Sequence, residues 1–297
     1  MQAQRRALGD GRWHLQHGPI DLVIGADGDA DALAAAHEAA WQRFQPLLAE
    51  LVAELPTLRA PVRGPCPLQG IIARRMWWAC RPYHSRFITP MAAVAGAVAQ
   101  ELIGCYEREG ITRAWVNNGG DIALHLAPGA AVRVGVFTDL ARFDAQAAAH
   151  AARGALPLDA NVEIHAALPV RGIATSGWRG RSFSLGIADS VTVLARTAAE
   201  ADAAATVIAN AVNLDDARIV RRPACELKDD SDLGTIPVTV DVPRLGPELV
   251  QHALDAGLRR ARELESAGLV WSALLACQGR HASSAVHQVE ELGSVFA

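Results

Sequence analysis

Between Asp29 and Leu55, the apolar residues Leu33, Ala36, Ala40, Phe44, Leu47, Leu51 and Leu55 recur at three- and four-residue spacing. That period predicts a helix with one buried face, which Pro46 is expected to kink or split. From Met91 to Glu109 the chain is almost purely Ala, Val, Gly, Leu and Ile up to Gln100, so a second helix is expected, buried on nearly all sides. Thr197 and Glu200 form a capping box opening a third helix that runs to about Asn213, and Leu245–Ala267 reads as a long amphipathic helix.

Alternating patterns mark the strands. WHLQHGPIDLVIG reads as an opening strand. After Gly110, ITRAWVN, DIALHLA and AVRVGVF are separated by Gly and Pro turns and predict an antiparallel meander. VRGIATS, SFSLGIADSVTVLA and IPVTVDV add further strands, while the Pro- and Arg-rich stretch Pro56–Pro67 reads as a surface loop. Helices and strands come in blocks without strict alternation, which favours an α+β fold with helices packed on antiparallel sheet. The pattern fades after Gly279, so residues 1–280 are expected to form one domain and 281–297 a partly ordered tail.

Composition narrows the function classes. The chain has 297 residues, 51% hydrophobic and 20% charged, with 28 Lys+Arg against 32 Asp+Glu. No basic block exists to meet a phosphate backbone, so nucleic acid is not expected as a partner. The longest strongly apolar run, Met91–Ala99, is far short of the roughly 20 residues that cross a bilayer. The N-terminus carries charge where a signal peptide needs an unbroken apolar stretch, and a cytoplasmic location without membrane attachment is expected. Five cysteines at irregular spacing without a CxxC argue against a disulfide framework or a zinc site. GxGxxG, GxxxxGK[ST], GxSxG and HExxH are all absent, which disfavours Rossmann, P-loop, serine hydrolase and zincin chemistry. The buried helix and the long C-terminal helix are compatible with a homodimer.

Four stretches are too polar or too glycine-rich for their surroundings. RPYHSRFITP offers Arg81 and Arg86 as clamps for a carboxylate or phosphate, ahead of a helix start; as a plain surface loop it is equally well explained. VNNGGDIAL places Asn117, Asn118 and Asp121 around Gly119 and Gly120, where bare backbone admits a ligand or simply turns a hairpin. IATSGWRG ends a strand in Thr175, Ser176 and Gly177. In EADAAATVIANAV, Asp202, Thr206 and Asn210 lie four residues apart on one helical face. If buried, a carboxylate and a hydroxyl one turn apart suit a hard cation such as Mg²⁺.

In this order, VNNGGDIAL, GIATSG and TAAEADAAAT resemble the ApbE-like superfamily, and RPYHSRFITPMAAVAGAVAQ with SFSLGIADSVTVLA resembles its UPF0280 branch, over about residues 10 to 280. The resemblance implies an ApbE-like, T-fold-like α+β architecture, a small-molecule ligand with FAD foremost, and Mg²⁺ held by Asp202 and Thr206. It maps the superfamily's Gly-Gly-Asp turn to Gly119, Gly120 and Asp121 and its Thr-Ser-Gly turn to Thr175, Ser176 and Gly177, and Asn118, Arg81 and Arg86 join these as ligand-binding candidates on their own chemistry. Two departures fall in the transfer machinery. Ala95 stands where the superfamily's flavin transferases carry a lysine, and their His-x-x-Asp-Pro-x-x-Gly segment has no counterpart, leaving Asp189 and His84 as the candidate acid–base groups. The resemblance therefore implies either a transferase on a small molecule, in cofactor or one-carbon metabolism, or a ligand-binding module that has lost the transfer chemistry.

Overall fold

The computed structural model describes residues 2–136 and 160–285. Its strands are β1 (Gln4–Ala7), β2 (Trp13–His17), β3 (Ile20–Gly28), β4 (Ile111–Asn118), β5 (Asp121–Leu126), β6 (Ala131–Val136), β7 (Ala160–His165), β8 (Gly172–Ser176), β9 (Ser190–Ala195), β10 (Val220–Pro223), β11 (Pro237–Asp241), β12 (Ser272–Cys277) and β13 (Arg280–Ser283). Nine of them form one antiparallel sheet in the order β1-β2-β3-β4-β5-β8-β9-β12-β13. The helices are α1 (Ala30–Ala53), α2 (Leu55–Leu58), α3 (Ile71–Cys80), α4 (Val94–Ile103), α5 (Ala198–Ala211), α6 (Ala224–Leu227) and α7 (Pro247–Ser266). The expected α+β class holds.

Strand alternation sends successive side chains to opposite faces. Ala114, Val116, Ala123, Ala174, Val191 and Val193 join the core under the helices, together with Phe44, Leu47 and Met76. Leu124, Leu126, Ile173 and Leu194 face the other way, onto a smaller core closed by Val162 and Ile164 of β7. β6 therefore leaves the expected meander and pairs with β7 as a two-stranded ribbon over the second face.

Several sequence expectations change. WHLQHGPIDLVIG is a hairpin of β2 and β3, turning at Gly18 with φ +58. α1 runs unbroken through Pro46; Pro46 and Gln42, whose carbonyl loses its partner, are both exposed to water. The Met91–Glu109 helix is α-helical only over Val94–Ile103, between 3₁₀ turns at Pro90–Ala93 and Gly104–Tyr106. Within SFSLGIADSVTVLA only Ser190–Ala195 is strand. The preceding residues are irregular because α5 and its end take their amides: Leu185 N donates to Asn210 Oδ1 (2.9 Å) and Ile187 N to Val212 O (2.8 Å). At the C-terminus, residues 280–283 form β13, whereas residues 286–297 of the expected tail lie outside the described residues. All five cysteines are free thiols.

The alanine-rich sequence of α5 lets it seat closely on α4. A Cβ on Gly96 would fall 2.2 Å from Ala198 O and 2.9 Å from Asp202 Cβ. Gly96→Ala is expected to cost about 1–3 kcal/mol of stability, the usual range for overpacking, read as a lower urea midpoint. An unchanged midpoint would show that the two helices are not held at this separation.

Candidate functional site

β4 and β5 meet at a two-residue turn, Gly119 and Gly120, with φ of +66° and +112° and Asn118 opposite Asp121. Two positive φ values in succession are the geometry that Asn-Gly-Gly sequences favour, and Asn117 Oδ1 accepts from Gly120 N (2.9 Å). The alternation along both strands turns Asn118 and Asp121 toward the helices, and both are buried, 7% and 8% exposed. Asn118 Nδ2 donates to Ala95 O (3.1 Å) in the first turn of α4. Asp202 of α5 reaches the same turn from the other side, its Oδ2 accepting from Gly96 N (2.9 Å). The hairpin, the start of α4 and one face of α5 thus converge.

At that convergence sit two carboxyl groups, neither of which forms an ion pair with a cationic side chain among the described residues. Burial pushes Asp202 well above the usual carboxylate range and the neighbouring Asp121 pushes it further, against the opposing pull of the Gly96 and Ala95 amides. Burial raises Asp121 to about 7, although its Oδ1 accepts from Thr175 N (3.1 Å). Thr206 lies one turn beyond Asp202 on the same face of α5, and Asn210 one turn further ties down Ser184 and Leu185. Asp202, Thr206 and Asn210 are all half-buried, so the stripe is neither sealed in the core nor a fully water-facing surface.

Two carboxylates and a hydroxyl are the oxygen donors a hard divalent cation takes, completed by carbonyls, water or phosphate. Bound there, a cation would remove the repulsion between the two acids. Among the described residues no group of three or more His, Cys, Asp or Glu side chains forms a cage for a metal, so the softer, fully protein-ligated centres are not what this donor set resembles.

The other expected residues are distributed differently. Ser176 and Gly177 stand at the end of β8, beside the hairpin, and a Cβ on Gly177 would meet Asp189 O at 2.3 Å. The Thr175 side chain points to the opposite face and pairs with Thr192 Oγ1 (2.9 Å). Only its backbone amide serves the site, a correction to the expected hydroxyl contact. Asp189 also departs from its expected role. It pairs with Arg179 (Nε–Oδ1 3.1 Å) and accepts from the backbone amide of Gln278, so it fixes two loops and is not poised as a general base. His84 Nδ1 meets Arg81 O (2.9 Å), Arg81 stacks 5.5 Å from the Trp77 ring, and His84 and Arg86 are exposed. Among the described residues no hydrogen bond or ion pair joins Arg81, His84 or Arg86 to Asp121 or Asp202; they form a surface loop. The sequence reading passed over Arg179 and Arg181, which the structure places beside the Thr-Ser-Gly and Gly-Gly turns; two arginines directly after a Gly-containing turn were the available signal.

The described helices include none long and apolar enough to cross a membrane. Comparison with known proteins matches residues 5–283 to the family described as "AbpE bacteria". A UPF0280 protein of Methanopyrus kandleri is 34% identical over 71% of this chain and 78% of that protein. A UPF0280 protein of Methanothrix thermoacetophila is 36% identical over 48% of this chain, the match spanning about half (53%) of the relative. Among solved structures, the flavinyl transferase ApbE of Pseudomonas stutzeri aligns over 98% of this chain and 97% of its own, at 10% identity and a TM-score of 0.43. On the family match and the Methanopyrus relative, the chain belongs to the UPF0280 family of the ApbE-like superfamily.

Proposed function

We propose that this protein binds a phosphate-bearing ligand, a flavin nucleotide foremost, through Mg²⁺ held by Asp202, Asp121 and Thr206. The observation that carries the reading is the pair of mutually repelling carboxyl groups, Asp121 buried and Asp202 half-buried, at the meeting of β4, β5, α4 and α5, which form no ion pair with a cationic side chain among the described residues. Membership of the ApbE-like superfamily supports it, as does the resemblance of the segment carrying Asp202 and Thr206 to that superfamily's metal-binding helix. When bound, the cation would balance phosphate charge. The chain's own residues then divide the remaining tasks. Asn118 and Asp202 fix the first turn of α4 from two sides. Gly119 and Gly120 leave bare backbone at the mouth, and Ser176 offers a hydroxyl at the end of β8.

A second reading, binding without turnover, is favoured by the engagement of Asp189 with Arg179 and Gln278, which removes the candidate base nearest the turn. One experiment addresses both. The purified protein, mixed with FAD and Mg²⁺ and freed of excess ligand, is expected to retain a flavin spectrum, and mass spectrometry of the denatured sample to release intact FAD. Release of AMP and FMN would establish transfer or hydrolysis and sink the second reading. A colourless protein would contradict flavin as the ligand.

A further inference from the structure

The loop that follows the Thr175–Ser176–Gly177 turn carries two arginines, of which Arg181 rests on the β4–β5 turn of the candidate site. Gly180 N donates to Gly177 O (3.1 Å), closing a tight turn over Gly177–Gly180. Arg179 occupies its third position and Arg181 follows directly. Arg181 reaches across to the β4–β5 hairpin: its Nη1 lies 3.2 Å from where a Cβ on Gly119 would be, and its Nη2 donates to Pro19 O at 3.4 Å. A guanidinium is therefore laid directly on the glycine turn beside Asp121. Glycine is needed there twice over, for its positive φ and for the room that the arginine takes.

Arg179 is anchored from behind. Its guanidinium lies 5.1 Å from the Trp178 ring and pairs with Asp189, which is 9% exposed. Asp189 is fixed in turn by the amide of Gln278, the one non-glycine residue with positive φ among those described (+46°). Gln278 keeps this costly conformation because its side chain donates to Pro243 O (2.8 Å) and accepts from Leu245 N (2.9 Å). A chain of contacts from the C-terminal hairpin thus holds one arginine in place, while the second rests on the other turn of the site. Planar guanidinium forks match phosphate oxygens and are suited to take them bidentately.

We propose that Arg179 and Arg181 form a clamp for the phosphate or diphosphate of the ligand, with Asp189 as the residue that positions Arg179. The inference rests on the proposed ligand-binding function and names the part of the ligand that these residues take. The test is calorimetric titration of the full chain in Mg²⁺ with pyrophosphate, ADP, FAD and riboflavin. Arg179→Ala and Arg181→Ala are each expected to weaken pyrophosphate, ADP and FAD about tenfold and to leave riboflavin unchanged, as loss of a charge-assisted contact should. Arg181→Lys is expected to lose only part of that, since it keeps the charge without the fork. Arg181 is a surface side chain, so its variants should keep the wild-type melting temperature and remain informative even where Arg179→Ala does not fold. Unchanged pyrophosphate and FAD affinity in the arginine variants would overturn the clamp. So would an equal loss of riboflavin binding, or a wild-type protein that binds none of the three phosphate compounds. If FAD alone fails while pyrophosphate and ADP bind in an arginine-dependent manner, the clamp stands and flavin is removed from the proposed function.

Discussion

Asp202→Ala is expected to weaken Mg²⁺-dependent ligand binding by roughly 100-fold or more, about 2.7 kcal/mol. Removing groups that merely orient metal ligands already costs 10–100-fold, so loss of a carboxylate that touches the cation should reach at least the upper end of that range. The folded state should survive the change. The Gly96 amide loses its acceptor, a cost of about 1–3 kcal/mol, but a buried acid and its repulsion with Asp121 disappear as well. Asp202→Asn separates the two effects: its amide oxygen still accepts from Gly96 N, so the apo-protein should melt no lower than wild type while cation binding is lost. Retention of full Mg²⁺ dependence in both variants would show that the cation binds elsewhere.

The second large effect is on stability against pH. Asp121 and Asp202 both hold their protons more tightly in the folded protein than in the unfolded chain, where carboxyls titrate near 3.9. The folded state therefore binds more protons in that window, and unfolding becomes easier as pH rises. For Asp121 alone, the interval from its unfolded value to about 7 corresponds to a loss on the order of 4 kcal/mol. Without added metal, denaturant midpoints should fall as pH rises from 4 through 7, where Asp121 gives up its proton in the folded chain, and should keep falling for as long as Asp202 retains its own. Mg²⁺ should restore stability increasingly as pH rises past neutrality, where Asp121 is ionised and a cation can displace the proton of Asp202, and hardly at all near pH 5. An Asp121→Asn, Asp202→Asn protein with the same pH profile as wild type would show that these two groups are not its source.

Much of this site was legible in the sequence because its parts are local signals. The Asn-Gly-Gly-Asp run specifies a tight turn through its own backbone preferences, and β4 and β5 flank it with clear alternation. The Thr197 hydroxyl accepts from Glu200 N as the capping box requires, and the four-residue spacing of Asp202, Thr206 and Asn210 puts them on one face whatever surrounds the helix. What the sequence could not show is which distant residues these faces meet. Asp121 and Asp202 are brought together by the order of strands in the sheet, and the pairing of Asp189 with Arg179 and Gln278 depends on a hairpin at the far end of the chain. Asp189 thus read as a free acid when it is a tether.

Elements buried on all sides were missed for a different reason. Ser272–Cys277 is an unbroken buried run without alternation, a pattern short strands share with buried helix segments. Ile71–Cys80 starts at Gly70 without a capping side chain; all but its Ile71, Arg74, Arg75 and Trp78 face inward, so little polar periodicity remains to mark it. The alanine-rich α5 was visible as a helix, yet its tight seat on α4 became apparent only through the lack of space at Gly96.

The central claim, that Asp121 and Asp202 form a cation site serving a phosphate-bearing ligand, is tested most directly by the affinity for FAD at pH 8 in Mg²⁺ and in EDTA, for the wild-type chain and Asp202→Ala. The account predicts tight stoichiometric binding in Mg²⁺ for the wild type, and weak binding, equal to that of the variant, once the metal is chelated. The same affinity in Mg²⁺ and EDTA, unaffected by the substitution, would contradict it.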